Sequence, residues 1–125
     1  ANGMPELHSL TPMLANLQDK GFKVALVTDG RMSGASGKIP AAIHVFPEAV
    51  KGGTIGRIKD GDMITLDALS GRLEILADLS QRPDYISASN VNPNSFARSL
   101  FAPMRCQSAN AEAGGGINLT AGHNT

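Results

Sequence analysis

A short apolar run followed directly by a glycine-rich segment constrains the fold more than any other feature of this sequence. Residues 24–27 read Val-Ala-Leu-Val, a continuous apolar stretch with a β-branched bias, which predicts a buried strand. Residues 28–38 follow and carry three glycines among mostly small and polar side chains. Loops that leave the carboxyl end of a strand are where α/β folds bind their ligands. The sequence therefore predicts an α/β domain whose functional site lies at this loop.

A helix is predicted before that strand, because apolar residues recur at three- and four-residue spacing. Thr11 is expected to cap the helix, Pro12 to occupy its first turn and Gly21 to end it. The face expected to pack inward consists of Leu7, Leu10, Met13, Leu14 and Leu17.

Short β segments are predicted after the loop. Residues 43–46 are expected to form a strand that Pro47 ends. Further segments are expected around Ile55 and Ile58, at 63–66 and at 73–76, with turns at Asp60-Gly61 and Ser70-Gly71. The β core is therefore expected to be open or barrel-like, with a few peripheral helices.

The last third of the chain is predicted to contain little regular structure. Residues 81–94 are polar and hold two prolines, so they are expected to be irregular. Residues 96–104 predict a last helix, and the Ala-, Gly- and Asn-rich stretch from 107 to 125 predicts a flexible tail.

Composition and charge exclude several classes of function. The chain has 125 residues, enough for one domain and too few for two. Eleven Lys and Arg residues balance eleven Asp and Glu residues, so no basic surplus favours nucleic acid or a membrane surface. No apolar run approaches the roughly 18 residues of a transmembrane helix. No signal-peptide pattern is present, so a cytoplasmic location is expected. Cys106 is the one cysteine, which excludes an intrachain disulfide and a metal site built from this chain's thiolates alone.

The glycine-rich loop does not match the common catalytic loop motifs. A phosphate-binding P-loop needs a glycine where Met32 stands and a Ser or Thr where Ile39 stands. Neither Ser33 nor Ser36 lies in the Gly-x-Ser-x-Gly motif of hydrolases.

Two interpretations of the loop remain open from its residues alone. Its small residues allow backbone N–H groups to face an anion, and Arg31 and Lys38 bracket it with positive charge. The alternative is a plain surface turn. Glu6 by itself is typical of a first helical turn, His44 of a core histidine and Cys106 of a packing or exposed thiol.

Three stretches of sequence together resemble one known family. They read ANGMPELH at residues 1–8, TDGRMSGASGKIPAAIHV at residues 28–45 and PEA at residues 47–49. The chain is similar there to the dihydroxy-acid dehydratase and phosphogluconate dehydratase family, which shares an Asp-Gly-Arg-(Phe/Met)-Ser-Gly core. The continuation after that core, and residues 96–105, resemble the phosphogluconate branch. The resemblance covers residues 1 to about 106.

The resemblance implies that residues 1–106 form the C-terminal domain of a longer enzyme, followed by a flexible tail at 107–125. In the family this domain is a swivelling β/β/α barrel-like unit with peripheral helices, which closes over an N-terminal domain in a homodimeric enzyme. The family reaction removes water from a 2,3-dihydroxy acid. In the phosphogluconate branch it converts 6-phospho-D-gluconate to 2-dehydro-3-deoxy-6-phosphogluconate, a step of the Entner–Doudoroff pathway.

The resemblance also assigns roles to single residues. Ser33 matches the serine proposed as the base at C2, and Glu6 matches a carboxylate that ligates Mg²⁺ or a similar divalent cation. The residues expected to bind substrate, with Lys38 at its phosphate, are Arg31, Gly34, Ser36 and Lys38. The family's [4Fe-4S] cluster needs cysteine thiolates, so its ligands are expected on the N-terminal domain.

Two other functions are considered. One is a different sugar-acid or dihydroxy-acid dehydratase of the same family, and the other is a non-catalytic binding module with the swivelling fold. The joint presence of Glu6 and Ser33 favours catalysis.

Overall fold

Two small sheets and a few short helices make up the regular structure of this chain. The structure is a computed structural model, and it describes residues 9–32, 37–85 and 95–117. The chain divides into two units, Ala1–Ser87 and Ala88–Thr125. In chain order the elements are α1 (Leu10–Asp19), β1 (Leu26–Val27), β2 (Ala41–Ala42), 3-10 helices at Ala49–Lys51 and Thr54–Arg57, β3 (Ile64–Asp67), β4 (Arg72–Ile75), α2 (Phe96–Leu100) and α3 (Ala102–Gln107).

The first unit is organised around a parallel pair of strands, β1 and β2. Leu26 pairs with Ala41 and Val27 with Ala42. Flanking backbone bonds extend the pair, from Leu26 N–H to the Pro40 carbonyl (3.0 Å) and from Thr28 N–H to the Ala42 carbonyl (2.9 Å). Parallel strands need a crossover of roughly a dozen residues or more. Residues 28–40, which contain the glycine-rich loop, provide that crossover.

Helix α1 lies where the sequence predicts a helix, and it ends before Gly21, whose φ is 89°, as predicted. Pro12 lies in its first turn, also as predicted, where no intrahelical N–H donor is needed. Its start and its inward face differ, because the helix begins after Ser9 rather than being capped by Thr11. The half-buried side chains are those of Thr11, Leu14, Ala15 and Gln18. Leu10, Met13 and Leu17 are exposed instead, with Met13 at 67%. The predicted inward face is thus wrong except at Leu14, and Leu7 lies outside the described residues.

The β segments predicted at 63–66 and 73–76, with a turn at Ser70-Gly71, are confirmed to within one residue, and they form a hairpin. Strands β3 and β4 are antiparallel with Ile64 opposite Ile75 and Leu66 opposite Leu73, so these aliphatic side chains share one face of the hairpin. Gly71 in the connecting turn has a φ of 67°, a conformation that glycine adopts without a Cβ clash.

Two predicted strands are absent at the predicted positions. The second strand of the parallel pair is Ala41–Ala42, and 43–46 continue it irregularly because His44 has a φ of 54°, which turns the chain out of the extended conformation. The segment around Ile55 forms the 3-10 helix Thr54–Arg57, closed by a bond from Gly56 N–H to the Gly53 carbonyl (3.0 Å). A short apolar repeat cannot distinguish a strand from a 3-10 turn.

Gly53 is held at a close backbone approach. It is the one residue that is fully buried among those described. A Cβ atom built on Gly53 would lie 1.7 Å from the Pro47 carbonyl oxygen. The Gly53 N–H also donates to the Glu48 carbonyl at 2.9 Å, which closes the turn around the 3-10 helix Ala49–Lys51.

An ion-pair network ties the segment before β3 to residues after β4. The Arg82 guanidinium binds both carboxylate oxygens of Asp62, one at 2.8 Å, and also donates to the Arg57 carbonyl. The Arg57 side chain in turn contacts Asp84. The hydrogen bond from Arg82, with help from the Lys59 N–H, lowers the pKa of Asp62 to about 2. The irregular conformation predicted from residue 81 onward is confirmed for 81–85, while 86–94 lie outside the described residues.

The second unit contains two helices where one is predicted. The Ser95 hydroxyl caps α2 by accepting from the Arg98 N–H. Pro103 has no N–H to donate to the Ser99 carbonyl, so the helix breaks at Phe101 and α3 begins at Ala102. Beyond α3, Ser108 pairs with Ile117 in an isolated antiparallel bridge. The flexible tail over 107–125 stays a prediction.

The α/β class expected from the sequence is confirmed at that level, with helices and two separate two-stranded sheets and no closed barrel among the described residues. None of the described helices has the length and apolarity to cross a bilayer. Several large apolar side chains of the described segments are open to solvent, including Phe22 (60%), Met63 (68%) and Leu69 (101%).

Candidate functional site

The glycine-rich loop is the crossover between β1 and β2, so it leaves the parallel pair at the carboxyl end of β1. That edge is where α/β sheets present ligand-binding groups. The structure describes both ends of the loop: Arg31 and Met32 on one side, and Gly37 and Lys38 on the other. Three predicted site residues, Ser33, Gly34 and Ser36, lie outside the described residues, as does Glu6.

Backbone hydrogen bonds fix the start of the loop. The Thr28 hydroxyl accepts from the Gly30 N–H at 2.9 Å, which closes a tight turn directly after β1. The Gly30 carbonyl accepts from the His44 N–H at 2.9 Å, and the Thr28 carbonyl accepts from the Val45 N–H at 3.1 Å. The two chain segments that follow β1 and β2 therefore stay in contact, and the loop has a defined point of departure.

Asp29, within the family's signature core, has a structural contact. Its Oδ2 accepts from the Ala49 N–H at 2.9 Å. Ala49 is the first residue of the 3-10 helix Ala49–Lys51, so the carboxylate satisfies an N–H at a helix start. The contact ties the loop entrance to the turn built around Gly53. Sequence reasoning did not assign Asp29 a role, and a single aspartate gives no signal of a partner twenty residues away.

Both described ends of the loop are attached to α1. The Thr11 hydroxyl donates to the Met32 Sδ at 3.3 Å. At the other end, the Gln18 side-chain amide donates to the Lys38 carbonyl at 2.8 Å. Thr11 and Gln18 are seven residues apart, about 10 Å along a helix axis. One helix thus contacts the loop on both sides of residues 33–36, at Met32 and at Lys38.

The Lys38 ammonium lies 2.8 Å from Asp19 Oδ2, at the last residue of α1. Both side chains are exposed, Lys38 at 45% and Asp19 at 62%. An exposed ion pair such as this one adds only about 0.2–1 kcal/mol to the stability of a fold. A well-made hydrogen bond to a charged group adds about 1.5–3 kcal/mol, so the pair is a weak contact by comparison. Arg31 is exposed at the other end of the loop. The two cations are therefore both within reach of solvent and of a solute.

A cavity of about 350 Å³ lies beside the loop. Its lining is mainly aliphatic, with Leu14, Leu26, Ile39 and Ile43 among its residues, and Thr11 adding a hydroxyl. An anionic sugar acid needs cations as well as hydrogen-bond donors, and none of the described lining residues is charged. Arg31 and Lys38, the two cations at the described ends of the loop, are not among the residues that line the cavity.

The part of the chain that the structure describes holds no complete site for the metal groups that the family resemblance implies. Among residues 9–32, 37–85 and 95–117, no three His, Cys, Asp or Glu side chains converge in a way that could hold a metal ion. Cys106 is an exposed residue of α3. A single thiol cannot hold an iron–sulfur cluster, which takes several cysteine ligands.

His44 is exposed rather than part of the core, so the interpretation of it as a core histidine is wrong. Its φ of 54° is uncommon for a residue other than glycine. The strand it follows is β2, and its N–H is bonded to Gly30 of the loop entrance. The apolar neighbours that suggested burial belong to the irregular continuation of β2, where side chains do not alternate between two faces.

Comparison with known proteins identifies the family. The family model described as dihydroxy-acid/6-phosphogluconate dehydratase, C-terminal, matches residues 1–115. The chain belongs to this family. The matched range extends nine residues beyond residue 106, where the resemblance noted from the sequence ends.

Curated relatives point in the same direction. The chain is 54% identical over 121 residues to the phosphogluconate dehydratase of Rhizobium meliloti (strain 1021), which covers 94% of this chain and 20% of that protein. It is 55% identical over 116 residues to the phosphogluconate dehydratase of Pseudomonas aeruginosa, covering 91% of this chain and 19% of that protein. A dihydroxy-acid dehydratase of Dinoroseobacter shibae is 52% identical over 73 residues, covering 58% of this chain and 12% of that protein. The chain thus spans about a fifth of the length of the phosphogluconate dehydratases it matches.

Proposed function

We propose that this chain is the C-terminal domain of a phosphogluconate dehydratase, a hydro-lyase that converts 6-phospho-D-gluconate to 2-dehydro-3-deoxy-6-phospho-D-gluconate in the cytoplasm. The observation that carries the proposal is the identity of 54–55% to two phosphogluconate dehydratases over more than nine-tenths of the chain. The match to a dihydroxy-acid dehydratase reaches only 58% of the chain. The phosphogluconate branch is therefore favoured.

Ser33 is proposed as the base, whose alkoxide takes the proton from C2 as the C2=C3 double bond forms and the C3–oxygen bond breaks. The proton taken by Ser33 then passes to the leaving hydroxyl, which departs as water, and the enol becomes the 2-keto acid as its O2 proton is lost and a proton adds at C3. A serine hydroxyl is a weak acid, so the alkoxide needs a positive environment. Arg31 is two residues before Ser33 and Lys38 five residues after it, and backbone N–H groups of a glycine-rich turn add further positive potential. The anchored ends of the crossover support this role, because a base must be held at a fixed distance from its proton.

Glu6 is proposed as one oxygen ligand of Mg²⁺ or a similar divalent cation. Such hard cations take carboxylate oxygens and usually bind through one or two protein carboxylates together with substrate oxygens and water. The other protein ligands, and all ligands of the [4Fe-4S] cluster, are proposed to lie on the N-terminal domain. This chain therefore supplies a base and a metal ligand, and it is inactive without that domain.

The substrate-binding residues are proposed to be Arg31, Gly34, Ser36 and Lys38, with Lys38 contacting the phosphate. The exposed position of the Lys38 ammonium supports this, because a phosphate at the far end of a sugar acid can approach it.

The domain is proposed to swivel as a β/β/α barrel-like unit over the N-terminal domain of a homodimer. Closure of that kind would bring Ser33 to a substrate held on the other domain.

Substrate preference of the full-length enzyme tests this function. The anaerobically purified enzyme should dehydrate 6-phosphogluconate with a kcat/KM about ten- to a hundredfold above that for gluconate, the range that a charge-assisted phosphate contact provides. Branched-chain 2,3-dihydroxy acids serve as the matched control substrates. A higher kcat/KM for those acids would assign the chain to a dihydroxy-acid dehydratase. An enzyme with a full cluster that dehydrates none of these acids would indicate a non-catalytic module.

A further inference from the structure

Asp19 occupies an unfavourable position for a carboxylate. It is the last residue of α1, where the helix dipole places partial negative charge, and the last turn of α1 contains no basic residue. The cation that neutralises it comes from the loop, since Lys38 Nζ lies 2.8 Å from Asp19 Oδ2. The Lys38 ammonium therefore offsets the unfavourable charge that Asp19 adds to this helix end.

The backbone and the side chain of Lys38 are held separately. Its carbonyl accepts from the Gln18 side chain at 2.8 Å, while its ammonium pairs with Asp19. The first bond fixes where the loop returns to the sheet, and the second fixes only where the ammonium points. The ammonium can consequently change partner while the loop keeps its position.

The exposure of the pair makes such a change inexpensive. Asp19 is 62% exposed and Lys38 45%, so water already competes for both groups. A phosphate dianion carries more charge than a carboxylate and offers three acceptor oxygens, so it is the stronger partner for an ammonium.

We propose that Asp19 is a built-in counter-ion of Lys38 that the phosphate group of the substrate displaces. Asp19 is thus a specificity-determining residue that never touches the substrate. It holds the ammonium near the loop in the free enzyme and weakens the binding of every phosphorylated ligand. This inference rests on the proposed function, because it requires that Lys38 meets the substrate phosphate.

Four variants of the full-length dehydratase test the proposal: Asp19→Asn, Lys38→Met, the double variant, and Asp60→Asn as a matched loss of one exposed charge on the turn before Gly61. Measured quantities are kcat and KM for 6-phosphogluconate, and the inhibition constants of inorganic phosphate and of gluconate. Asp19→Asn should lower KM and the inhibition constant of phosphate by about two- to fivefold, the range for an exposed ion pair. It should change kcat less than KM and leave the inhibition constant of gluconate unchanged.

The double variant supplies the decisive comparison. Lys38→Met should raise KM, and Asp19→Asn should have no further effect in that background because the ammonium is gone. Equal changes for phosphate and gluconate, a fall in kcat without a fall in KM, or an unchanged KM in Asp19→Asn would each overturn the proposal. An effect of Asp60→Asn equal to that of Asp19→Asn would also overturn it, because it would show a general effect of net charge.

If the parent enzyme does not dehydrate 6-phosphogluconate, the proposed function fails and this inference fails with it. If the parent is active and KM does not respond, this inference alone fails.

Discussion

Neighbouring residues of the loop signature have different tasks. Asp29 binds the backbone of Ala49 and so holds the loop entrance, whereas Arg31 and Lys38 extend charge into solvent. The sequence places an arginine and a lysine at the two ends of a glycine-rich loop, which favours anion binding, and that role stays a prediction. It could not predict the partner of Asp29 or the pairing of Lys38 with Asp19, since both contacts join residues about twenty positions apart. His44 was misjudged for a related reason: its neighbours are apolar, but its φ of 54° is a property of the folded chain.

The proposed base gives a prediction at this scale. In the full-length enzyme, Ser33→Ala should lower kcat by about 10²-fold or more, the usual span for a lost proton-transfer group, while KM and cluster content change little. Steady-state kinetics and iron analysis of the same preparation measure this. Ser99→Ala, an exposed serine of α2, is the control and should retain parental kcat. A Ser33→Ala enzyme with near-parental kcat would reduce Ser33 to a turn residue.

Helix α1 is the element that organises the candidate site, because it contacts both ends of the loop. Its existence followed from apolar spacing, but its inward face did not. The contacts of α1 with the loop are made by Thr11 and Gln18, two polar residues that a hydrophobic pattern does not detect. Two elements also end at other residues than predicted, because of local backbone constraints. Pro103 breaks the predicted last helix into two, and the positive φ at His44 ends the β conformation after Ala42. The two β segments of the hairpin were predicted to within one residue because the Ser70-Gly71 turn pair separates them.

Gly53 should be intolerant of any side chain. Gly53→Ala would place a Cβ atom 1.7 Å from the Pro47 carbonyl oxygen, so the turn that Asp29 also contacts must move. We expect a loss of about 1–3 kcal/mol in the free energy of unfolding, as for other overpacked sites. Denaturant unfolding measures it, with Gly116→Ala as the control, because a Cβ at Gly116 has nothing within 4 Å. Equal stability of the two variants would contradict the close approach at Gly53.

The link between Asp62 and Arg82 should make stability depend on acid pH. The pKa of Asp62 is lowered from its ordinary value of 3.8 to about 2 in the folded chain, chiefly because Arg82 donates hydrogen bonds to it. A depressed pKa stabilises the fold above the unfolded value, and that contribution is lost as the pH falls from about 4 to about 2. Thermal unfolding of the parent and of Asp62→Asn should therefore differ at pH 5 and converge towards pH 2. Asp60→Asn, on the adjacent turn, is the control for the loss of one carboxylate charge from this segment. A difference between the parent and Asp62→Asn that does not change with pH would show that the ion pair does not hold this segment.

The whole molecule spans about a fifth of the length of the phosphogluconate dehydratases it matches. It contains one cysteine, too few to hold an iron–sulfur cluster. Large apolar side chains of the described residues, such as Phe22 and Met63, are exposed. The sequence predicted membership of the family directly, because the loop signature is specific. It could not predict which of its apolar side chains are exposed, because apolar spacing alone does not show which side chains a fold buries.

Parallel reconstitution of the full-length enzyme and of this 125-residue chain tests the account most directly. Both are incubated anaerobically with iron and sulfide, then analysed for iron, for the absorbance and EPR signals of a cluster, and for dehydration of 6-phosphogluconate. The account predicts a cluster and product formation in the full-length enzyme, and neither in the chain alone, because one thiol cannot hold a cluster. A stoichiometric cluster on the isolated chain, or formation of 2-dehydro-3-deoxy-6-phosphogluconate by it, would contradict the account.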